Sequence, residues 1–160
     1  MIAFKEWQVV CEALATGRQT VILRKGGIHE GRAGFAWKHD AFALFPTRFH
    51  NQSEGVKPAD WAEFGEDGLE EWTEGQVVPV RWQCEVTEAV TLERWDEVCD
   101  LADKHIWTED VVRERFDWEM KGMKGQSLHA AFVKVTELAE PQEFVYTKGK
   151  YGGCRSWLEI

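Results

Sequence analysis

Arg24 and Lys25 stand directly behind the apolar run Thr20-Val21-Ile22-Leu23 and in front of Gly26-Gly27, His29 and Glu30. A cation delivered by a strand end can clamp a phosphate, and glycines beside it let backbone N–H groups approach the same anion. Successive strand residues point to opposite faces, so one of the two cations enters a cleft unless the glycines twist the chain. The competing reading is a solvated turn. A second stretch, Phe45 to Gln52, sets Thr47, Arg48, His50, Asn51 and Gln52 around Phe45 and Phe49. That mixture suits hydrogen bonding to a base edge while a ring stacks on its face. The plainer alternative is a strand end with core phenylalanines and capping polar groups.

Three further groups carry weaker signals. Trp107 lies next to Thr108, whose cap would leave helix N–H groups for an anion, although a tryptophan there also reads as a core plug. Tyr151, Arg155 and Ser156 surround Gly152-Gly153, a turn that would complete a site if it approached residues 23–27. His29, Glu30 and His50 would suit zinc or iron only if their loops converged, and their spacing carries no signal of it. No metal and no cofactor are therefore expected. Lys25, Glu30 and His50 form the alternative catalytic set, with histidine as base and lysine as the polarising cation for a hydrolase acting on a nucleoside-like amide. The sequence contains no G-x-S-x-G, H-E-x-x-H or phosphate-loop motif to support that set.

The elements that must position these residues belong to a chain of 160 residues, suited to one domain over residues 1–160. With 44% hydrophobic and 29% charged residues it has the composition of a soluble globule. No apolar run reaches the roughly 20 residues of a membrane span, and the start lacks the pattern of a secretory signal, so a cytoplasmic address is expected. The four cysteines are widely separated, without a C-x-x-C pair, and are expected as reduced thiols. The net charge is −9, which argues against a general phosphate-binding surface. Its distribution is uneven. Residues 1–52 carry seven Lys/Arg against four Asp/Glu, and residues 121–160 six against four, whereas residues 53–120 hold twenty acids and six cations. A fold that joins the ends could present a locally positive face.

Phe4, Trp7, Val10, Cys11 and Leu14 recur at helical spacing, which predicts a first helix ending at Gly17. Thr20 to Arg24 predicts a strand, and Phe35 to Lys38 with Ala41 to Phe45 a hairpin closed by Pro46. Residues 53–75, with eight acids and Lys57 as their cation, predict an acidic insertion holding one or two short helices. Gln76 to Val90 predicts a strand, Thr91 the start of a helix, and Thr108 the cap of another running to about Trp118. Lys121 to Gln126 reads as a glycine-bearing connection, followed by strands over His129 to Leu138 and Cys154 to Ile160, joined through Pro141 and the glycine-rich stretch 148–153. Without regular βαβ alternation this is α+β with a mainly antiparallel or mixed sheet.

The stretches AFKEWQVVCEAL, LRKGGIHE, FPTRFHNQ, HIWTEDVVRERF and YGGCRSWLEI together resemble the bacterial domain-of-unknown-function family 1802, over nearly the whole chain. Related domains occur fused to a restriction-endonuclease module of the Mrr type, so the resemblance implies a link to restriction or DNA processing and a nuclease-type partner. LATGRQTVILRKG and the run from Phe132 to Ile160 also resemble ASCH and other PUA-like domains. That second resemblance implies a mixed β pseudobarrel with flanking helices and a cleft served by charged strand ends. Ile22 departs from it, standing where a glutamate is common. Taken together, the expectation is a non-catalytic module binding DNA or RNA, including a modified base, through Arg24, Lys25, His29, Thr47, Arg48, His50, Gln52, Trp107, Tyr151 and Arg155. The alternatives are the small hydrolase and a protein-interaction module whose acidic insertion meets a basic partner.

Overall fold

The structure is a computed structural model that describes residues 1–26 and 37–160. Its strands are β1 (Ile2–Trp7), β2 (Val21–Lys25), β3 (Ala41–Thr47), β4 (Val77–Leu92), β5 (Asp117–Met120), β6 (Met123–Gln126), β7 (Leu128–Val145) and β8 (Trp157–Glu159). The helices are α1 (Gln8–Ala15), α2 (Pro58–Phe64), α3 (Trp95–Cys99), α4 (Glu109–Phe116) and the single turn α5 (Lys148–Tyr151). Six strands form one sheet in the order β2-β7-β4-β3-β1-β8, and β5-β6 make a separate hairpin. β1 and β3 run parallel and the other pairs antiparallel, so the sheet is mixed and the fold α+β, as expected.

The central strands are buried on both faces. Phe4, Phe42 and Leu44 point into the larger core with α1, β2 and α4, while Ala3, Ala43 and Phe45 point into a smaller one with Val78, Val80, Tyr151 and Leu158. This is the period-two alternation of a strand, expressed with apolar residues on either side.

The main difference from expectation lies at the start of the chain. Residues 2–7 are a strand, and the helix begins only at Gln8. Phe4 and Trp7 do sit three apart, but Phe4 lies in a sheet between β3 and β8, where pairing on both sides outweighs the local spacing. Gly17 ends the helical segment as expected, with a φ of 78° and its N–H donated to the Leu14 carbonyl.

Further boundaries shift for identifiable reasons. Thr91 does not start a helix: β4 runs on to Leu92, and the Thr91 hydroxyl lies 2.8 Å from His129 Nδ1 on β7. Helix α4 is capped by Thr108, whose Oγ1 accepts from the Val111 N–H, but it ends at Phe116. The following residues and the expected connection 121–126 instead form the β5-β6 hairpin, turning at Lys121-Gly122 with φ values of 51° and 78°. Strand β7 passes through Pro141, which falls where the pairing with β4 shifts register between Val80 and Trp82, so no ladder donor is missed. Strand β3 likewise includes Pro46 and pairs with β1 and β4. Trp37 and Lys38 lie outside any strand, and Phe35 and Ala36 of the expected hairpin arm lie outside the described residues.

The acidic segment holds a 3₁₀ turn (Gln52–Gly55) and α2, and its first half is tied into the body. Val56 bridges Trp107, the Thr108 N–H donates to the Gly55 carbonyl, and Asp60 on α2 pairs with Arg18 at 2.8 Å. Cys11 and Cys84 are buried free thiols, and Cys99 and Cys154 exposed ones. No helix among the described residues is long and apolar enough to cross a membrane.

His105 is 3% exposed, and burial, followed by the charges of Lys57, Arg115 and Arg18, lowers its pKa from 6.5 to about 4. The folded chain therefore holds it neutral, while the unfolded chain binds a proton from about pH 6.5 downward. Stability contributed by neutral His105 should be present above pH 6.5 and be lost as the pH falls toward 4, by up to roughly 3 kcal/mol. Urea unfolding of wild type and His105→Gln across this range should show a shallower decline for the variant; equal slopes would contradict the assignment.

Candidate nucleic-acid interface

Among the described residues the sheet does not close: β2 pairs with β7 alone, and β1 pairs with β8 over Ile2–Phe4, with one further bond from the Lys5 N–H to the Ser156 carbonyl. These two incomplete edges line one open hollow of about 570 Å³. Its walls come from residues 4–7 of β1, Leu23 to Lys25 of β2, Thr47 at the end of β3 and Phe49 beyond it, Arg115 of α4, and the turn 153–156.

Each wall is fixed by a local interaction. Arg115 Nη1 donates to the Leu23 carbonyl at 2.9 Å, and the Gly26 N–H donates to the Arg115 carbonyl, so the end of α4 supplies partners that the bare edge of β2 lacks. A side chain at Gly26 would place its Cβ 2.0 Å from the Ser127 carbonyl oxygen, so the chain can press against the residue preceding β7 only with glycine. On β1, the Trp7 N–H donates to its neighbour's carboxylate oxygen, Glu6 Oε1, and the Thr47 hydroxyl donates to the Glu6 carbonyl. Gly153, with a φ of 75°, swings Cys154 to Ser156 toward β1, where Lys5 Nζ donates to the carbonyls of Gly152 and Gly153.

The hollow is cationic and ringed. Among the described residues, Lys5, Arg24, Lys25, Arg115 and Arg155 line it against one carboxyl, Glu6, together with Phe4, Trp7 and Phe49. Arg24 lies 5.2 Å over the Phe4 ring, Arg115 lies 4.4 Å over Trp107 and 5.6 Å over Trp7, and Trp7 meets Phe49 edge-on at 4.9 Å. Burial lowers the pKa of Lys5, with the Arg155 charge adding to the effect. Burial also raises the pKa of Glu6, and Arg115, the Trp7 N–H and Arg24 hold that rise in check. A guanidinium stays charged even when desolvation disfavours it, as it does at Arg115. The floor of the hollow thus joins a fixed positive charge to a carboxyl whose charge is costly to bury.

The residues singled out from the sequence divide between this hollow and other places. Arg24, Lys25, Thr47 and Arg155 line it, and both members of the Arg24-Lys25 pair do so because the strand ends at Lys25 and the hollow follows an edge rather than a face. Arg48 points away: it donates to Gln8 Oε1 at 2.6 Å and stacks 3.5 Å over Trp72. His50 is exposed and does not line this hollow. Gln52 is buried and donates to the Thr47 carbonyl, Trp107 is fully buried behind Arg115, and Tyr151 stacks on Phe45 in the smaller core. His29 and Glu30, and with them the metal and hydrolase sets, lie outside the described residues. Lys5, Glu6 and Trp7 were hidden by the helical reading, and the run Ile2 to Trp7 carries no apolar/polar alternation that would have marked a strand.

A family model described as a domain of unknown function, DUF1802, matches residues 3–160. The chain belongs to this family. No curated protein matches the sequence. Among solved structures, an ASCH protein from Zymomonas mobilis is similar to this DUF1802 chain with a TM-score of 0.52 and 11% identity, over 99% of this chain and 86% of the other. That likeness shows an ASCH-like fold, in agreement with the sequence expectation, and at this identity it shows the fold alone.

Replacing Arg115 with Met should remove the donor to Leu23 and leave buried Glu6 without its nearest positive charge, costing roughly 2–4 kcal/mol of stability. In a double-mutant cycle read by denaturant unfolding, Glu6→Gln should recover part of that loss. Strictly additive changes would mean that the two side chains do not interact.

Proposed function

We propose that this DUF1802 domain binds nucleic acid, with single-stranded or unpaired segments as the target, through the hollow between β1 and β2. The observation carrying the proposal is the convergence of five cationic side chains and three aromatic rings on one open cavity in a chain of net charge −9. Phosphates favour such a site because guanidinium and ammonium groups neutralise them and release counterions. Bases favour it because rings of any sequence can stack on Trp7 or Phe49. A cavity of about 570 Å³ is large enough for a nucleotide unit and too narrow for a duplex groove to be read along its length.

The acidic remainder of the surface repels the polyanion elsewhere and so confines binding to the hollow. The link to DNA processing that the sequence resemblance implies favours a role in which the domain holds nucleic acid, including a modified base, for an associated nuclease. The hydrolase alternative gains no support from the placement of His50.

Fluorescence anisotropy with labelled single strands of RNA and DNA at low salt should show binding that weakens as salt rises. Arg24→Ala and Arg155→Ala should each weaken it by about tenfold and lower the salt slope by about one. Lys134→Ala, on the exposed face of β7, should leave it unchanged. Absence of binding to every strand and duplex at low salt would overturn the proposal.

A further inference from the structure

Among the described residues, Glu6 is the one carboxyl lining the cationic hollow, and at 6% exposed it is largely shielded from water. Its place is set by β1. Phe4 and Glu6 lie two residues apart on the strand and so share a face, and Arg24, over the Phe4 ring, brings its charge to the carboxyl. Arg115 brings a second charge from α4, and the Trp7 N–H donates to Glu6 Oε1 at 2.8 Å. The other charged or titratable groups of the lining are Lys5 on β1, Lys25 on β2, and Cys154 and Arg155 on the turn 153–156. From α1 and β4 the buried thiols of Cys11 and Cys84 lie within electrostatic reach of Glu6, and β3 adds the uncharged hydroxyl of Thr47.

Burial favours the neutral carboxylic acid, and the two guanidiniums favour the carboxylate. A phosphate entering the hollow changes this balance. It is drawn to Arg24 and Arg115, the same charges that sustain the carboxylate. It also brings a negative charge of its own into a site sheltered from solvent, where like charges repel more strongly than in water. A proton on Glu6 removes that repulsion and turns an acceptor-only group into one that also carries a donor. Carboxylate and phosphate compete for one set of cations, and protonation resolves the competition in favour of the ligand.

We infer that Glu6 is a proton-coupled counter-anion of the phosphate site: it balances the cations before a strand arrives and takes up a proton when a phosphodiester binds. The inference rests on the nucleic-acid reading of the hollow and adds a pH dependence to it. Its sign follows from linkage. A bound anion raises the affinity of Glu6 for a proton, so the proton raises the affinity for the anion. Binding should therefore strengthen as the pH falls, over an interval that begins at the carboxyl's value in the complex and ends at its lower value in the unbound protein, both above the ordinary 4.5.

The test uses the whole chain with 3′-labelled uridine and thymidine tracts that lack a terminal phosphate, because a terminal phosphate itself titrates near pH ~6. Fluorescence anisotropy at constant salt should show affinity rising between about pH 7.5 and about pH 5, by no more than about tenfold per pH unit. Calorimetric titration near pH ~6 in buffers of different ionisation enthalpy should show a proton uptake approaching about one per protein bound. Glu6→Gln keeps an oxygen for the Trp7 N–H but carries no charge. It should bind at about pH 7.5 as tightly as wild type at about pH 5, without pH dependence and without proton uptake, its fold verified by circular dichroism. The wild-type proton count is decisive even if that variant does not fold. Binding that is flat with pH, that takes up no proton, or that keeps its pH dependence in Glu6→Gln would overturn the inference and leave the hollow's function standing. No binding at any pH would remove both.

Discussion

The Arg115 guanidinium occupies the place where the sheet fails to close, and the neighbouring structure is arranged around that fact. A sheet that ends on two unpaired edges must satisfy their N–H and C=O groups with something other than a strand. Here the end of α4 does so for β2, through Arg115 Nη1 on the Leu23 carbonyl and the Arg115 carbonyl on the Gly26 N–H. The cost of partly burying the guanidinium is offset by the Trp107 and Trp7 rings and by the adjacent Glu6 carboxyl. An apolar residue would pack against the same rings but could not hydrogen-bond the carbonyl. The gap between β1 and β2 therefore stays open and positively charged for a structural reason.

The order of the sheet explains why distant parts of the chain supply the charge. β2 and β8 are its two outer strands, yet both contribute to one hollow, because β8 covers only half of β1 and leaves Glu6 and Trp7 facing the β2 edge. The basic ends of the sequence are thus brought together, and the acid-rich middle forms α2, the long β4, α3 and α4 around them. The exception is Arg115, a cation from the acidic middle, carried in by the helix that Thr108 caps. Charges separated by more than about 10 Å are screened in solution, so local grouping decides what the hollow attracts, not the total of −9.

Much of this arrangement was legible in the sequence wherever chemistry and periodicity agreed. β2, β4, the Thr108 cap, Gly17 and the α+β class all follow from residue type and spacing. Arg24, Lys25 and Arg155 were recognisable because each lies beside glycine-bearing turns at strand ends. β1 was not, since Phe4, Trp7, Val10, Cys11 and Leu14 fit a helix as well as they fit a strand followed by a helix, and only pairing with β3 and β8 decides between them. The Arg48 placement was equally hidden. In an extended stretch Thr47 and Phe49 face one way and Arg48 the other, so a cluster that looks contiguous in sequence splits across the backbone.

The carboxyl of the hollow illustrates the same limit from another direction. Ile22 on β2, where the sequence resemblance to ASCH domains leads one to expect a glutamate, is fully buried in the larger core. A carboxyl nevertheless reaches the hollow, from Glu6 on β1, held by the Trp7 N–H and approached by Arg115 and Arg24. Strand-by-strand comparison of motifs would record the carboxyl as lost. What the electrostatics of a positively charged cavity require is one anionic group near its floor, to limit repulsion among the cations, and not a particular strand to carry it. Lys5 shows the repulsion that remains: its pKa is lowered first by burial and then by the charge of Arg155. Among the described residues the hollow sets five cations against one costly carboxyl, an excess of positive charge that an incoming phosphate would neutralise.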